Sequence, residues 1–449
     1  MANVIRIKKG LDIRLAGEAQ KVALTATMGD TFAVTPEAFH GLQPRLMVQP
    51  GDRVMAGTGV LHDKLHPEVL LTAPVSGEVT GVVRGAKRKI LAVEIKADPT
   101  IGYKEFDVSG IASLGREEVL ALLLKSGFFA LLRQRPYDIV PNPEVMPRDI
   151  YVTGCFSAPL MPSALELIGE DKKHLQLAVD ALAKLTTGSV IVGFKKGEAL
   201  SLNNAKVYEI DGAHPAGNAG VLINHTYPVN KGETVWTLTL TELALIGRFL
   251  ATGKVDLRRK IALAGSRLAT TGFAEVISGA DIASIINDKL DSKPEHRRII
   301  DGDVLSGALV NPEHKYLSPH SDIITVIPEG DDVVELMGWG MPGFNKFSMS
   351  RSFPSFLTGK KKYDIDARLR GGKRAIIQSG EYDKVFPMDI YPEQLIKAII
   401  AFDIDRMEEL GIYEVAPEDF AVCEFVDTSK LELQYIVRKG LDLLYKEMN

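Results

Sequence analysis

The chain reads as a multidomain α/β protein, and three observations carry that reading. Residues 48–83 place the turn dipeptides Gly51-Asp52 and Ser76-Gly77 ahead of alternating valines, the pattern of short strands joined by tight turns. From Asp149 onward, strand-like and helix-like segments alternate, as in a parallel, doubly wound sheet of Rossmann-like type. From residue 392 to the end, apolar residues recur at helical spacing. At 449 residues the chain is too long for one core, and roughly three or four domains are expected.

The β-rich part comes first. Residues 1–100 are strand-like and close near Asp98-Pro99. Two blocks in it, Pro-Gly-Asp-x-Val-x-x-Gly at 50–57 and Ala-Pro-x-x-Gly-x-Val at 73–79, resemble the halves of a biotinyl/lipoyl-carrier sandwich. A carrier holds its swinging arm on a lysine at the tip of the hairpin between the halves. Only Lys64 lies there, nearer the first block than a carrier would place it. The expectation is a carrier-type sandwich without carrier chemistry, serving as architecture. An unrelated small β domain is the alternative.

Residues 117–133 are apolar on almost every side, which predicts a helix that is deeply buried or faces a partner. Pro136, Pro141, Pro143 and Pro147 mark a loop after it. Strands are predicted at 149–154, 189–194, 206–210 and 260–265. One helix or two is predicted over 163–185, with Ser163 as cap and Glu166 three residues on. Another helix runs over 241–254, from Thr241 to near Gly253. Residues 266–335 return to short strands and turns with one brief helix at 280–287, the look of a small β-grasp module. Beyond 392, Leu395, Ile399, Phe402, Met407 and Leu410 mark a helical stripe, and 433–445 a second helix. The domains expected are a barrel sandwich at 1–100, a Rossmann-like α/β domain at 101–257, a β-grasp (SLBB-like) domain at 258–335 and a helical domain at 336–449.

Composition bounds the function. Hydrophobic residues make up 45% and charged residues 25%, as in ordinary globular protein. A net charge of −5 does not fit a nucleic-acid binder. Cys155 and Cys423 cannot form a disulfide framework, and with nine scattered histidines they build no zinc site by spacing. A reducing compartment is the expectation. No apolar stretch of signal-peptide length opens the chain, and none of 18 residues occurs, so any membrane connection is expected to be peripheral.

The motifs divide in the same way. A dinucleotide fingerprint should follow the 149–154 strand, where Gly154-Cys-Phe-Ser-Ala-Pro159 stands instead. The one formal Gly-x-Gly-x-x-Gly, at 338–343, follows strand-like residues 333–337 but contains Pro342 and offers no helix N-terminus. The glycine-rich run from His214 to Thr226 could hold a ligand or simply reverse the chain at a sheet edge. His62 and His66 suit a hairpin better than a metal-binding helix. Cys423 reads as a small buried side chain, since one thiolate cannot hold an iron–sulfur cluster. Residues 360–374 carry seven cations and two aspartates, so Lys360, Lys361, Lys362, Arg368 and Arg370 are candidates for docking on anionic lipid or an acidic partner. A solvated loop is the plainer reading. Phe128, Phe129, Leu132 and Arg133 could clamp a flat quinone ring, against the plainer reading of helix packing.

Taken in order, Gly-Leu-Asp-Ile-Arg-Leu-Ala-Gly at 10–17, the sandwich halves, the run after His214, Gly-Trp-Gly-Met-Pro-Gly-Phe-Asn-Lys-Phe-Ser at 338–348, Gly-Glu-Tyr-Asp-Lys-Val-Phe-Pro at 380–387 and Asp-Phe-Ala-Val-Cys-Glu-Phe-Val at 419–426 resemble a known family. It is that of the NqrA subunits of bacterial sodium-pumping NADH:quinone oxidoreductases (Na+-NQR), and the resemblance runs over nearly the whole chain. That family is similar in layout to the RnfC component of the Rnf complex and to the NADH-binding flavoprotein of respiratory complex I. The chain lacks those relatives' glycine-rich flavin loop and cysteine clusters. Cys423 is followed four residues later by Asp427, where family members often keep a second cysteine. The resemblance implies a peripheral subunit on the cytoplasmic face of the bacterial inner membrane, with no catalytic residue, metal or redox cofactor of its own. NADH, flavins and iron–sulfur then belong to the partner subunits, NqrB to NqrF. Quinone is implied as the substrate of the complex, close to this chain. The alternatives are a stand-alone nucleotide-binding enzyme and an Rnf-type electron-transfer component.

Overall fold

The computed structural model describes residues 3–293, 296–331, 343–349, 351–377 and 379–448. The Gly-x-Gly-x-x-Gly motif, apart from Gly343, and the strand expected before it lie outside the described residues.

The two turn dipeptides do open strands. Arg53–Val54 and Gly77–Arg84 pair with each other in a four-stranded sheet with Ile90–Ala97 and Thr31–Val34. Pro44–Leu46, Gly59–Asp63 and Leu70–Thr72 form a second, three-stranded sheet. Val60, Leu61, Leu71, Val79, Val93 and Ile95 are buried between them. Lys64 sits in the turn after Gly59–Asp63. There the Asp63 carboxylate accepts the Gln43 and His66 N–H groups at 2.7 and 3.2 Å.

Five strands of the central six-stranded sheet are parallel, in the order Asn3–Arg6, Ala205–Asp211, Val190–Lys195, Ile150–Gly154 and Val235–Thr239. Arg133–Arg135 is antiparallel at the edge. Strand alternation splits the core. Ile150, Val152, Val190 and Val192 join the cluster under the helices Leu175–Ala183 and Leu240–Thr252. Tyr151 and Ile191 point the other way. They meet the Ala219–Asn224 helix and the C-terminal helices Pro392–Ile400 and Leu433–Met448, through Val221, Leu395, Ile396, Val437 and Leu441. The C-terminal helices therefore form the second covering layer of this sheet.

A mixed six-stranded sheet follows, in the order Ala308–Leu309, Arg297–Asp301, Ile323–Pro328, Arg258–Ala264, Gly272–Ile277 and Ala23–Leu24. Strands from residues 3–24 thus join the central and the mixed sheets rather than the sandwich.

Three local expectations need correction. The 117–133 segment is not one helix. Arg116–Ser126 is helical and Gly127, left-handed at φ 83°, ends it; a short 3-10 turn at Phe128–Leu131 and the edge strand follow. The cap of the next long helix is Thr239, not Thr241. The Thr239 hydroxyl accepts the Glu242 N–H while the Glu242 carboxylate accepts the Thr239 N–H at 2.7 Å, the reciprocal box that only the three-residue spacing allows. Phe402 is 70% exposed, because the helix stops at Ile400 and carries it past the stripe.

Candidate functional site

In an open parallel sheet, ligands bind beyond the carboxyl ends of the strands, where the strand order reverses. The chain here runs outward from Ile150–Gly154 through Val190–Lys195 to Ala205–Asp211, then crosses back to Val235–Thr239 on the other side. The reversal lies between Ile150–Gly154 and Val235–Thr239, and a cleft of about 700 Å³ opens there. Thr153, Cys155, Phe156 and Ser157 line it from one strand end, Thr237, Leu238 and Thr239 from the other. The mixed sheet adds residues 301–323 and the C-terminal part adds Glu418 and Gln434.

Two of the loops at these strand ends are bound to each other. Ser157 Oγ accepts the Gly217 N–H at 2.9 Å and meets His214 Nδ1 at 3.0 Å. A Cβ on Gly217 would stand 1.7 Å from the Cys155 carbonyl oxygen. The glycine of this run therefore lets two loops touch, where a fingerprint glycine makes room for a ligand. The run after His214 thus lines the cleft as well as reversing the chain.

The Ala219–Asn224 helix begins against a carboxylate. Asp419, wholly buried, accepts from Asn218 Nδ2 at 3.2 Å and from the Ala416 N–H at 2.9 Å. A Cβ on Gly220 would come within 2.4 Å of its Oδ2. The counter-ion is Arg135, 1% exposed, with Nη2 3.1 Å from Glu418 Oε1 and Nη1 3.6 Å from Asp419 Oδ2. Burial, then the neighbouring Asp419 charge, push the Glu418 carboxyl up to about 7.

The rest of the lining is acidic. Among the described residues it holds Glu37, Asp138, Glu242, Asp301, Asp303, Asp322 and Glu418 against Arg133 and Arg135. Several are internally paired: His320 Nδ1 with Glu242 at 2.5 Å, His314 with Asp301 at 3.1 Å, and Asp322 with Arg259. Burial works to raise the Glu242 carboxyl, but the His320 hydrogen bond and charge outweigh it and hold it low. Burial, then the Arg133 charge, lower the His320 imidazolium. The hydrogen bond to Asp301 raises that of His314. An acidic cleft disfavours phosphates and admits neutral ligands with hydrogen-bond acceptors. No cluster of three or more His, Cys, Asp or Glu arranged for a metal occurs among the described residues.

Of the four residues considered for a quinone, the structure brings only Arg133 to this cleft. Its guanidinium is 40% exposed and lies 4.0 Å from Asp138. Phe129 and Leu132 are wholly buried and Phe128 is 2% exposed. Phe128 packs on Phe249 at 5.0 Å and Phe129 lies edge-on to Trp236 at 5.4 Å. The five basic candidates are partly tied down. Lys361 donates to the Phe344 carbonyl and Asn345, Lys362 pairs with Glu18, Arg368 donates to the Gly330 carbonyl, and Arg370 pairs with Asp366. Cys423 is buried on the Ala421–Val426 helix, where burial raises its thiol well above the usual range. Sequence reasoning missed Arg135, Glu418 and Asp419. The arginine stands 283 residues from Glu418, and charges so far apart in the chain carry no local pattern.

Comparison with known proteins decides the family. Residues 5–98 match the NqrA N-terminal barrel-sandwich hybrid domain, 114–255 the NqrA second alpha/beta domain, and 260–311 the SLBB-type NQRA C-terminal domain. The NqrA protein of the Na(+)-translocating NADH-quinone reductase of Rhodopirellula baltica is 36% identical over 99% of both chains. The corresponding proteins of Vibrio atlanticus and Tolumonas auensis are 33% and 35% identical, over 99% and 98% of this chain and 100% and 98% of theirs. The chain belongs to the NqrA family of Na+-translocating NADH-quinone reductase subunits. The barrel-sandwich, α/β and SLBB domains described above are those of the NqrA family, and no helix among the described residues is long and apolar enough to cross a membrane. A likeness to an NAD+-reducing [NiFe]-hydrogenase, with TM-score 0.35 and 12% identity over 77% of this chain and 66% of that one, is too low to carry an argument.

Proposed function

We propose that this chain is the peripheral, cofactor-free NqrA component of a sodium pump on the cytoplasmic face of the inner membrane. The complex passes electrons from NADH to quinone and exports Na+. The chain serves as a scaffold for the flavin-bearing membrane subunits. The supporting observation is the packing of the chain's own groups on one another at the strand-end cleft. Gly217 closes on Cys155 just after the Ile150–Gly154 strand, where no dinucleotide fingerprint stands, and Asp419, paired with Arg135, faces the start of the Ala219–Asn224 helix, so these loops pack on the chain's own groups. The acidic remainder of the cleft suits a neutral ring with two carbonyl acceptors, and Arg133 is the accessible donor. A quinone contact in this chain is therefore assigned to Arg133, with Phe128, Phe129 and Leu132 as the packed support behind it.

The test uses tagged chain drawn from detergent-solubilised host membranes and assayed for NADH-driven quinone reduction with and without Na+. Flavin-bearing membrane subunits should co-purify with sodium-stimulated activity, and the isolated chain should release no flavin on denaturation. A flavin or nucleotide released by the isolated chain would refute the cofactor-free reading. Within the complex, Arg133→Ala should raise the KM for quinone while leaving the thermal midpoint nearly unchanged. Phe129→Ala should cost about 3–5 kcal/mol of stability, as expected for emptying a packed core site. An unchanged quinone KM in Arg133→Ala would sink the contact.

A further inference from the structure

Residues 343–363 hold five cations (Lys346, Arg351, Lys360, Lys361 and Lys362) and no acidic residue, within a chain of net charge −5. The same segment turns large apolar side chains outward. Phe344 is 67% exposed, Phe356 54% and Leu357 71%. This exposure is built rather than slack. Ser355, 1% exposed, donates its hydroxyl to the Ser348 carbonyl and so joins the two arms of the lobe. Arg14 binds the carbonyls of Ser355 and Gly359 from beneath, and Lys361 ties the Phe344 carbonyl to the far arm at 3.0 Å. Phe347 packs inward on Tyr363 at 5.7 Å. The arms are held, and the Phe344, Phe356 and Leu357 tips are left in water.

Exposed aromatic and leucine tips among lysines, with the first carboxylates after the segment, Asp364 and Asp366, paired to Arg267 and Arg370, fit an anionic bilayer interface. The rings enter the boundary of headgroup and acyl chain while the ammonium groups meet phosphate. A protein partner fits less well, because the cores of protein interfaces are depleted in lysine, and lysine supplies four of the five cations here. We propose that the lobe formed by residues 343–349 and 351–363 is a bilayer-contact surface for anionic phospholipid, with Phe344, Phe356 and Leu357 as the inserted tips and Lys360 and Arg351 as phosphate contacts. Lys362 is partly neutralised by Glu18 and contributes less. The inference rests on the peripheral-subunit reading and adds to it the lipid that is touched and the residues that touch it.

The full chain is sedimented with vesicles of phosphatidylcholine alone, and with vesicles of phosphatidylcholine and phosphatidylglycerol in equal parts. Binding should appear only with the anionic vesicles and weaken as salt rises. Phe356→Ala with Leu357→Ala, and separately Arg351→Glu with Lys360→Glu, should each lower the partition coefficient by roughly tenfold or more. These side chains stand on the surface, so a thermal melt should place both variants with the parent. Equal binding to both vesicle types, no binding to either, or undiminished binding by the two variants would overturn the proposal. So would normal vesicle binding by variants that lose the membrane subunits, which would assign the lobe to a protein contact. Co-purification of the parent chain with the flavin-bearing subunits is scored separately. A lobe that fails on vesicles in a chain that still brings down the complex removes the lipid contact and leaves the peripheral-subunit reading standing.

Discussion

Arg135 and the carboxylates around it set the character of the cleft. A guanidinium 1% exposed needs charge partners, and Glu418 and Asp419 supply them from the far end of the chain. The arrangement leaves Glu418 with a measurable signature. Burial, then Asp419, raise its carboxyl from 4.5 to about 7. An acid raised on folding favours the protonated folded state. Its contribution is therefore full below about pH 4.5 and is lost as pH rises through about 7. His314 is shifted up by Asp301 and loses stability in the same direction, while His320 is shifted down by burial and Arg133 and works in the opposite one. The difference between the parent chain and Glu418→Gln isolates the carboxyl. The gap between their thermal midpoints should widen in favour of the variant from pH 5.5 to pH 8. A gap that does not change with pH would show that Glu418 titrates at its ordinary value. None of this was legible in the sequence. Arg133 could be singled out because it follows an apolar run, whereas Arg135 sits in a polar stretch, and its partner Glu418 is 283 residues away. Local pattern carries no information on such a pair.

Elements were more legible than the pairs of charges that join them. The strands 149–154 and 189–194 are mostly apolar because both faces of a parallel sheet are covered there, the half-exposed 206–210 strand keeps Lys206 and Glu209 among its apolar residues, and all three stand where the sequence puts them. Ends were harder, since three threonines alternate at 237, 239 and 241 and only the partner Glu242 chooses among them. The apolar 117–133 segment misled for a physical reason. Burial on all sides looks alike in a helix and in a buried 3-10 turn, and Gly127 alone marks the break. The glycine-rich run after His214 was ambiguous because close approach to a ligand and close approach to a second loop demand the same residue. Gly217→Ala separates the two. The new methyl would meet the Cys155 carbonyl at 1.7 Å, so the loops must part. Loss of several kcal/mol is expected, of the order seen where a substitution forces a well-packed site open. The measurement is a denaturant midpoint in the isolated chain, with no ligand present. A neutral outcome would mean that the two loops are not in contact in solution.

At the scale of the whole molecule, the sequence announces separate modules and the structure shows how they share cores. Residues 3–24 supply edge strands to two sheets beyond the sandwich, and residues 392–448 supply the second layer of the parallel sheet. Such sharing is invisible to periodicity, which reports that a face is apolar and not what covers it. It has a thermodynamic consequence. If the C-terminal helices were an independent domain, emptying their core would loosen only residues 392–448. In the shared arrangement, Leu395, 0% exposed, belongs to the same cluster as Tyr151, Ile191 and Val221. Leu395→Ala should cost about 2–5 kcal/mol. Amide-exchange protection in this variant should fall in the Ile150–Gly154 and Val190–Lys195 strands as much as in the helix that carries the substitution. Because the strand-end cleft is floored by that sheet and bordered by Glu418, with Asp419 buried behind it on Arg135, the same variant should also loosen the Arg135 contacts. Faster exchange confined to residues beyond 392, with the strands protected as in the parent, would return the C-terminal helices to a domain of their own. The Arg135 pairing with Glu418 and Asp419 would then be a docking event between domains rather than a property of one core.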